Sequence, residues 1–247
     1  MTEELGAKVR GRRVAGLVRH GHFRRPARVA SSHLLLPLSE KGRDQARAAA
    51  VPILRSCEEL RLELDPTIEA SRLLRAWETA TILAEELEAH TGLSFRVEER
   101  GELVERSLGA CTNLRFDKIE ATLAMDPRLG PLPDGWRKIP EFRLPVPGAE
   151  SLHEAGARTA TRIATSMEAI PEDDSRDLLR LFVAHAGCLK HAAVQLGALD
   201  PRASIALKMD HAQTVLVEQD PCGDWVQVAG QWKKRLSKAQ PKPPTSG

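Results

Sequence analysis

An α/β fold, with a mostly parallel central sheet and helices on both faces, is the class this sequence predicts. Three observations carry that expectation. Short β-prone runs alternate with alanine- and leucine-rich helical stretches through the middle of the 247-residue chain. One run, Leu178 to Ala184, is nearly all apolar, as a strand covered on both faces should be. Two runs end abruptly in basic residues followed by glycine, Arg19-His20-Gly21 and His185-Ala186-Gly187, as strands do where an open sheet presents its ligand site. The length suits one large domain or two small ones.

The elements follow in order. Residues 1–12 are polar, carry Arg10 and Arg12, and read as a flexible arm before a domain spanning 13–232. Ala15 to Val18 form a short buried strand. Ser39 can cap a helix running through Arg43, Ala46 and Ala50, with Pro52 ending or kinking it. Thr67 to Ala70 is a second strand. Ser71 then caps a helix whose Leu73, Trp77, Ala80, Ala84 and Leu87 make one apolar stripe, and Gly92 stands at its C-terminal cap. Ser94 to Glu98 is a third strand. Residues 112–148 hold one helix, Leu114 to Met125, and then six prolines up to Pro147, the composition of a cap inserted into the domain. A helix from Glu150 to Ile170 turns Leu152, Thr159, Ile163, Met167 and Ile170 inward. After the strand Leu178 to Ala184 come a helix from Gly187 to Leu199 and strands over Ser204 to Met209 and Thr214 to Glu218. Trp225 to Val228 suits a sheet edge. Residues 233–247, with five basic side chains and three prolines, read as a disordered basic tail.

Composition excludes some partners. A formal net charge of +2 gives nucleic acid no purchase beyond the tail. The four cysteines lack C-x-x-C spacing and look like reduced thiols. No apolar h-region follows Met1 and no apolar run could span a bilayer, so a cytoplasmic protein without a membrane partner is expected.

The chemistry gathers at strand ends. Arg19 offers a planar fork of donors suited to phosphate, and His20 a ring nitrogen that can attack it. Arg75 lies in the first turns of the helix after the second strand, near the positive end of its dipole. His185 ends the long apolar strand. In a mostly parallel sheet these carboxyl ends share one rim. His20, His22, His185 and a carboxylate could instead ligate a metal, but two permanent cations beside the imidazoles oppose a dication and favour a phosphate dianion. For a general acid, Glu105 and Glu102 are both available in the loop after the third strand. His22 either contacts substrate or sits solvated at the mouth. Arg24, with Arg25 and Arg28, is either part of that mouth or a solvated loop.

Taken together, Arg19-His20-Gly21, Ser71-x-x-x-Arg75-Ala76-x-x-Thr79-Ala80, Leu103-x-Glu105-x-x-x-Gly109, Pro147-Gly148-Ala149-Glu150-Ser151 and Val183-Ala184-His185-Ala186-Gly187 resemble the histidine phosphatase superfamily, also called the phosphoglycerate-mutase-like family. The likeness covers residues 14 to 230. It implies the phosphoglycerate-mutase-like fold, a phosphohistidine on His20, a phosphate pocket of Arg19, Arg75 and His185, and Glu105 as acid and then base. It implies no metal and no organic cofactor. Where mutases of this resemblance carry a glutamate, a serine and an asparagine, this chain has His22, Phe23 and Pro26. An aromatic at 23 and alanine at 186 are similar to the branch containing a mitochondrial protein phosphatase. The resemblance thus points to a cofactor-independent phosphatase, a phosphomonoesterase of the histidine acid phosphatase type. Its substrate would be a phosphorylated small molecule or a phosphoprotein. The alternatives are a phosphomutase of the phosphoglycerate mutase type and a non-catalytic phosphate-binding scaffold.

Overall fold

In the computed structural model, which describes residues 10–30, 33–220 and 222–235, the strand β1 (Arg13–Arg19) lies inside a six-stranded sheet. It is followed by α1 (Glu40–Ala48), α2 (Ala50–Leu60), β2 (Glu63–Ser71), α3 (Leu74–Thr91), β3 (Arg96–Arg100), α4 (Phe116–Ala124) and α5 (Leu152–Glu168). Then come β4 (Leu178–Ala184), α6 (Ala186–Gln195), α7 (Pro201–Ala206), β5 (Leu207–Lys208), β6 (Thr214–Gln219), β7 (Trp225–Gly230) and β8 (Lys233–Lys234). Strand order is β3-β2-β4-β1-β6-β7. The first four run parallel, while β6 and β7 join antiparallel, with β7 at the edge. The mostly parallel α/β sheet expected from the sequence is present.

Strand alternation divides the apolar core in two. Leu178, Phe182 and Ala184 of β4 pack with Ile163 and Met167 of α5 and Leu189 of α6. Leu179, Leu181 and Val183 point the other way, onto Ile53 of α2 and Ala80, Leu83 and Leu87 of α3. Register then levels the site: Val18 and Ala70 both face Val183, so β1, β2 and β4 end side by side.

Several local expectations need correction. Pro52 does not end the first helix; the break falls at Ala49, and Pro52 sits in the first turn of α2, where its missing N–H costs no bond. The second strand starts at Glu63 rather than Thr67, with a register shift between Leu64 and Ile68 that absorbs Pro66. Ser71 is not a helix cap. It closes β2, the N-cap position is Leu73, and the Ser71 hydroxyl accepts from the Leu73 N–H just ahead of the helix. Trp77 is 38% exposed, because the buried face of α3 runs through Ala76, Ala80, Leu83 and Leu87. The third strand is displaced two residues, to Arg96–Arg100. Ser204 to Ala206 is helical rather than extended, since Asp200 accepts from the Arg202 and Ala203 N–H groups and Pro201 opens the turn.

Within residues 112–148, α4 and a tight turn at Trp136–Lys138 build a small core of their own, from Ile119, Leu123, Trp136 and Leu144 with Ala30 and Leu108. Residues 1–9 and 236–247, and with them most of the expected arm and tail, lie outside the described residues. The domain reaches slightly past its expected bounds. Arg12 pairs with Glu218 and donates to the Leu60 carbonyl, and Lys233–Lys234 pair with β5.

Candidate active site

His20 follows β1 and is held by the strand beside it, its N–H donating to the Ala184 carbonyl at 2.9 Å. The next turn is tight: a Cβ on Gly21 would lie 2.4 Å from the Gly42 carbonyl oxygen of α1. The Gly21 N–H donates to Thr79 Oγ1, and that hydroxyl donates to the Arg75 carbonyl. The turn after His20 and the Arg75 backbone are therefore tied through α3.

His20 is 4% exposed, and its tautomer follows from its partners. A carbonyl can only accept, so Nδ1 gives its proton to the Gly21 oxygen at 2.7 Å. Nε2 is left as a lone pair, and Arg75 Nε donates to it at 3.3 Å. Burial, with Arg75 and Arg19 nearby, holds the His20 pKa well below the ordinary imidazole value. The ring is neutral, with its lone pair on Nε2.

Arg75 also donates to His185 Nδ1 at 3.2 Å and to the Leu34 carbonyl at 3.0 Å. Because His185 Nδ1 accepts, its Nε2 carries the proton and meets Ser71 Oγ at 2.9 Å. The Ser71 hydroxyl thus meets His185 as well as the Leu73 N–H. Burial and the same two arginines keep His185 well below its ordinary pKa as well. The Arg75 guanidinium is lowered to about 10 by burial and remains charged at neutral pH. Arg19 completes the cation set, donating to the Met209 carbonyl at 2.6 Å and to His211 Nε2 at 3.0 Å. Phe23 meets the His20 ring edge-on and lies under the Arg75 guanidinium.

Glu105 enters from the loop after β3 and closes the N-terminus of α6. Its carboxylate accepts from the N–H groups of Gly187 at 3.0 Å, Cys188 at 3.1 Å and Arg106 at 2.9 Å. A Cβ at 187 would lie 2.3 Å from Glu105 Oε1, so a larger residue there would push the carboxylate aside. Arg158 of α5 holds the loop's carbonyls at 102, 104 and 105 and pairs with Glu150.

A cavity of about 290 Å³ gathers Arg19, His20, Arg75, Glu105 and Gly187. His185 reaches this group through Arg75. Glu102 is exposed and does not line the cavity, so the structure separates the two glutamates that spacing left level. His22 and Arg24, each read as a mouth residue or a solvated side chain, do not line this cavity. His22 is turned to Ser39, Nδ1 to Oγ 2.7 Å, and Arg24 is exposed outside the lining, whereas Arg25 belongs to it. Of the three histidines weighed as metal ligands, His20 Nε2 and His185 Nδ1 both accept from Arg75, and His22 Nδ1 is turned to Ser39. Among the described residues no group of three His, Cys, Asp or Glu side chains is placed to hold a metal ion.

Sequence reasoning missed Arg106, Arg137, Phe116 and His211. Arg106 is buried, lines the cavity and keeps one NH1 without a partner among the described residues. Its place beside Glu105 was the available signal. Arg137, from the proline-rich segment, lies over Phe116 at the cavity wall.

A model of the histidine phosphatase superfamily (branch 1) matches residues 16–231. The structure is similar to a mycobacterial hydrolase, with 26% identity, a TM-score of 0.64, and 89% of this chain and 98% of that chain covered. It is also similar to mycobacterial glucosyl-3-phosphoglycerate phosphatase, solved with VO3, at 27% identity and a TM-score of 0.62, covering 88% and 98% of the two chains. The α-ribazole phosphatase of Shigella flexneri, 16% identical with a TM-score of 0.62 and 88% and 95% coverage, shares the fold. No curated protein matches the sequence significantly. The extent of the family match settles membership: this chain belongs to the histidine phosphatase superfamily.

Proposed function

We propose that this superfamily member is a cofactor-independent phosphomonoesterase of the histidine acid phosphatase type, acting on phosphorylated small molecules through a phosphohistidine on His20. The observation that carries the proposal is the Arg75 guanidinium, which donates at once to His20 Nε2 and His185 Nδ1 beside a cavity that also holds Glu105. A phosphate dianion displacing these contacts would meet charged donors from Arg75 and Arg19, with the His20 lone pair behind its phosphorus.

In the first step His20 Nε2 forms a bond to phosphorus while the bond to the ester oxygen breaks, and Glu105 gives that oxygen its proton. In the second, the Glu105 carboxylate takes a proton from water as the oxygen attacks phosphorus and Nε2 leaves. Inorganic phosphate is released and both side chains return to their starting states. Neither step needs a metal or an organic cofactor, so the rate should be unchanged by EDTA; a large, metal-reversible loss would contradict this.

The mycobacterial relatives support a phosphatase over the mutase alternative. So do His22, Phe23 and Pro26 at the positions where mutases carry substrate contacts. A cavity of this size suits a small molecule better than a protein surface. We read residues 112–148 as a cap, since Phe116 and Arg137 reach the cavity from that segment. Among the described residues no helix is long and apolar enough to cross a membrane, and with Cys57, Cys111, Cys188 and Cys222 all free we favour action in the cytoplasm. The test is His20→Ala, which should abolish turnover of an aryl phosphate while calorimetry still detects bound inorganic phosphate. Turnover near the wild-type rate in that variant would overturn the proposal.

A further inference from the structure

Just ahead of β6 the chain returns to the end of β1. Residues 209–213 close over Arg19: its N–H donates to the Gln213 carbonyl at 3.1 Å, and its carbonyl accepts from the Ala212 N–H at 2.9 Å. Ala212 has φ at 53°, a left-handed conformation that alanine rarely adopts, and its bond to Arg19 holds it there. The turn is also tied within itself and from outside. Gln213 Oε1 accepts from the Asp210 N–H at 2.7 Å, its amide donates to the Gln231 carbonyl, and Asp210 pairs with Lys208 at 2.9 Å. This turn carries both partners of the Arg19 guanidinium, the Met209 carbonyl for Nη1 and His211 Nε2 for Nη2. Arginine can only donate, so His211 Nε2 is a lone pair and the ring proton sits on Nδ1. Burial, and then Arg19 itself, push the His211 pKa down to about 3, which keeps that lone pair free of a proton. Arg19 Nε is buried and has no partner among the described residues. Two guanidinium nitrogens are thus bonded to the turn, and the third is left for a ligand of the cavity that Arg19 lines.

We propose that His211 is a positioning residue that acts through Arg19: its Nε2 fixes the plane of the guanidinium so that the remaining N–H groups meet a phosphate beside His20. The inference rests on the phosphatase reading above, which makes Arg19 a phosphate ligand. A guanidinium held at one nitrogen can still swing about that contact, whereas one held at two has its plane set. Met209 supplies the first contact from the backbone, and His211 the second from a side chain. The His211 ring lies 5.7 Å from that of His20, centroid to centroid, yet His211 does not line the cavity. Its influence on the phosphate therefore passes through Arg19.

Calorimetry with inorganic phosphate reads this positioning without turnover. His211→Phe keeps a ring and removes the acceptor, and it should weaken phosphate binding about tenfold, the scale of one misdirected charge-assisted hydrogen bond. His211→Leu is the second acceptor-free variant, used where the larger ring disturbs the fold. His211→Gln, whose amide oxygen reaches about as far as Nε2, should bind phosphate within about threefold of the wild type. A ring that merely filled space would be replaced by phenylalanine without loss. Arg19→Met should weaken phosphate by itself, and adding His211→Phe to it should cost nothing further, because a residue acting through Arg19 has no effect once the guanidinium is gone. In steady-state assays His211→Phe should lower kcat/KM for alkyl and nitrophenyl phosphates alike. Wild-type affinity in both acceptor-free variants, failure of His211→Gln to restore binding, or additive losses in the double variant would overturn the role of His211. Phosphate binding needs no turnover, so failure of the catalytic reading appears separately, as turnover in His20→Ala.

Discussion

Between the His20 and His185 rings, Arg75 does three things that lysine cannot do together: it reaches both imidazoles and the Leu34 carbonyl from one planar fork. Arg75→Lys should therefore lower kcat/KM by about a hundredfold or more, the usual loss when one preorganised donor to the transferring group is removed. Loss of less than tenfold in steady-state assays would show that Arg75 is dispensable. Glu105 has a more selective signature. Glu105→Gln should slow phosphorylation by alkyl phosphates about a hundredfold or more, because an alkoxide needs its proton in the transition state. Nitrophenyl phosphate, with a stabilised leaving group, should suffer much less. Single-turnover rates separate the two, and equal slowing of both esters would remove Glu105 from the acid's role. Arg19, His20, Arg75 and His185 were legible because each ends or follows a strand whose apolar run is plain in the sequence. Arg106, Arg137 and His211 were not, since they belong to loops whose path is set by packing far along the chain. For His22 and Arg24 the sequence left mouth and solvated side chain level; in the fold His22 turns to Ser39 and Arg24 is exposed.

At the level of elements, the position of the Glu105 carboxylate depends on where α6 begins. The first N–H groups of that helix hold the Glu105 carboxylate, and Gly187 leaves the room for it. Gly187→Ala should displace the carboxylate and reproduce the leaving-group dependence of Glu105→Gln, with alkyl phosphates hit harder than nitrophenyl phosphate. A uniform loss across leaving groups would point to disruption of the phosphate pocket instead. Arg158→Met, acting through the loop carbonyls, should give the same pattern more weakly. Elements with strong periodicity were readable: β4 has the expected bounds, Ser151 and Glu154 form a capping box on α5, and Gly92 closes α3 with φ at 70°. Elements decided by competing local signals were not. Pro66 argued against strand in β2, where a bulge accommodates it, and Asp200-Pro201 outweighed the β-branched Ile205. Ser71 looked like a cap because caps and strand-end hydroxyls share a residue type, and only the β2–β4 pairing brings His185 to it.

Across the whole molecule, among the described residues, His20, His185 and His191 are buried and His211 is half-buried, and all four rings are held neutral. His20 and His185 titrate well below 6.5, His191 at about 4 and His211 at about 3, in each case mainly because burial penalises the charged ring. Below pH 6.5 the unfolded chain binds protons that the folded chain refuses. Stability is thus full above that pH and falls as the pH drops toward the folded values, by up to about 1.4 kcal/mol per pH unit for a fully buried ring and by less for His211, which solvent screens. Denaturant midpoints between pH 6.5 and 5, above the range where Glu69 and Glu150 titrate, should fall steeply, and His191→Gln should make the slope shallower. A flat profile would mean that these rings are charged in the fold. Catalysis should respond differently, since a neutral His20 keeps its lone pair well into that acid range. The sheet and the strand-end rim could be read from sequence because both follow from local hydrophobic patterning. The cavity walls drawn from 112–148 could not, because that segment orders around its own small core. The most direct measurement is rapid chemical quench of the wild type with a radiolabelled phosphomonoester, followed by mapping of the bound label. The expected result is one acid-labile, alkali-stable phosphoryl group on the peptide containing His20, absent in His20→Ala. Label on another residue, or turnover with no phosphoryl-enzyme at any time point, would contradict the phosphohistidine mechanism.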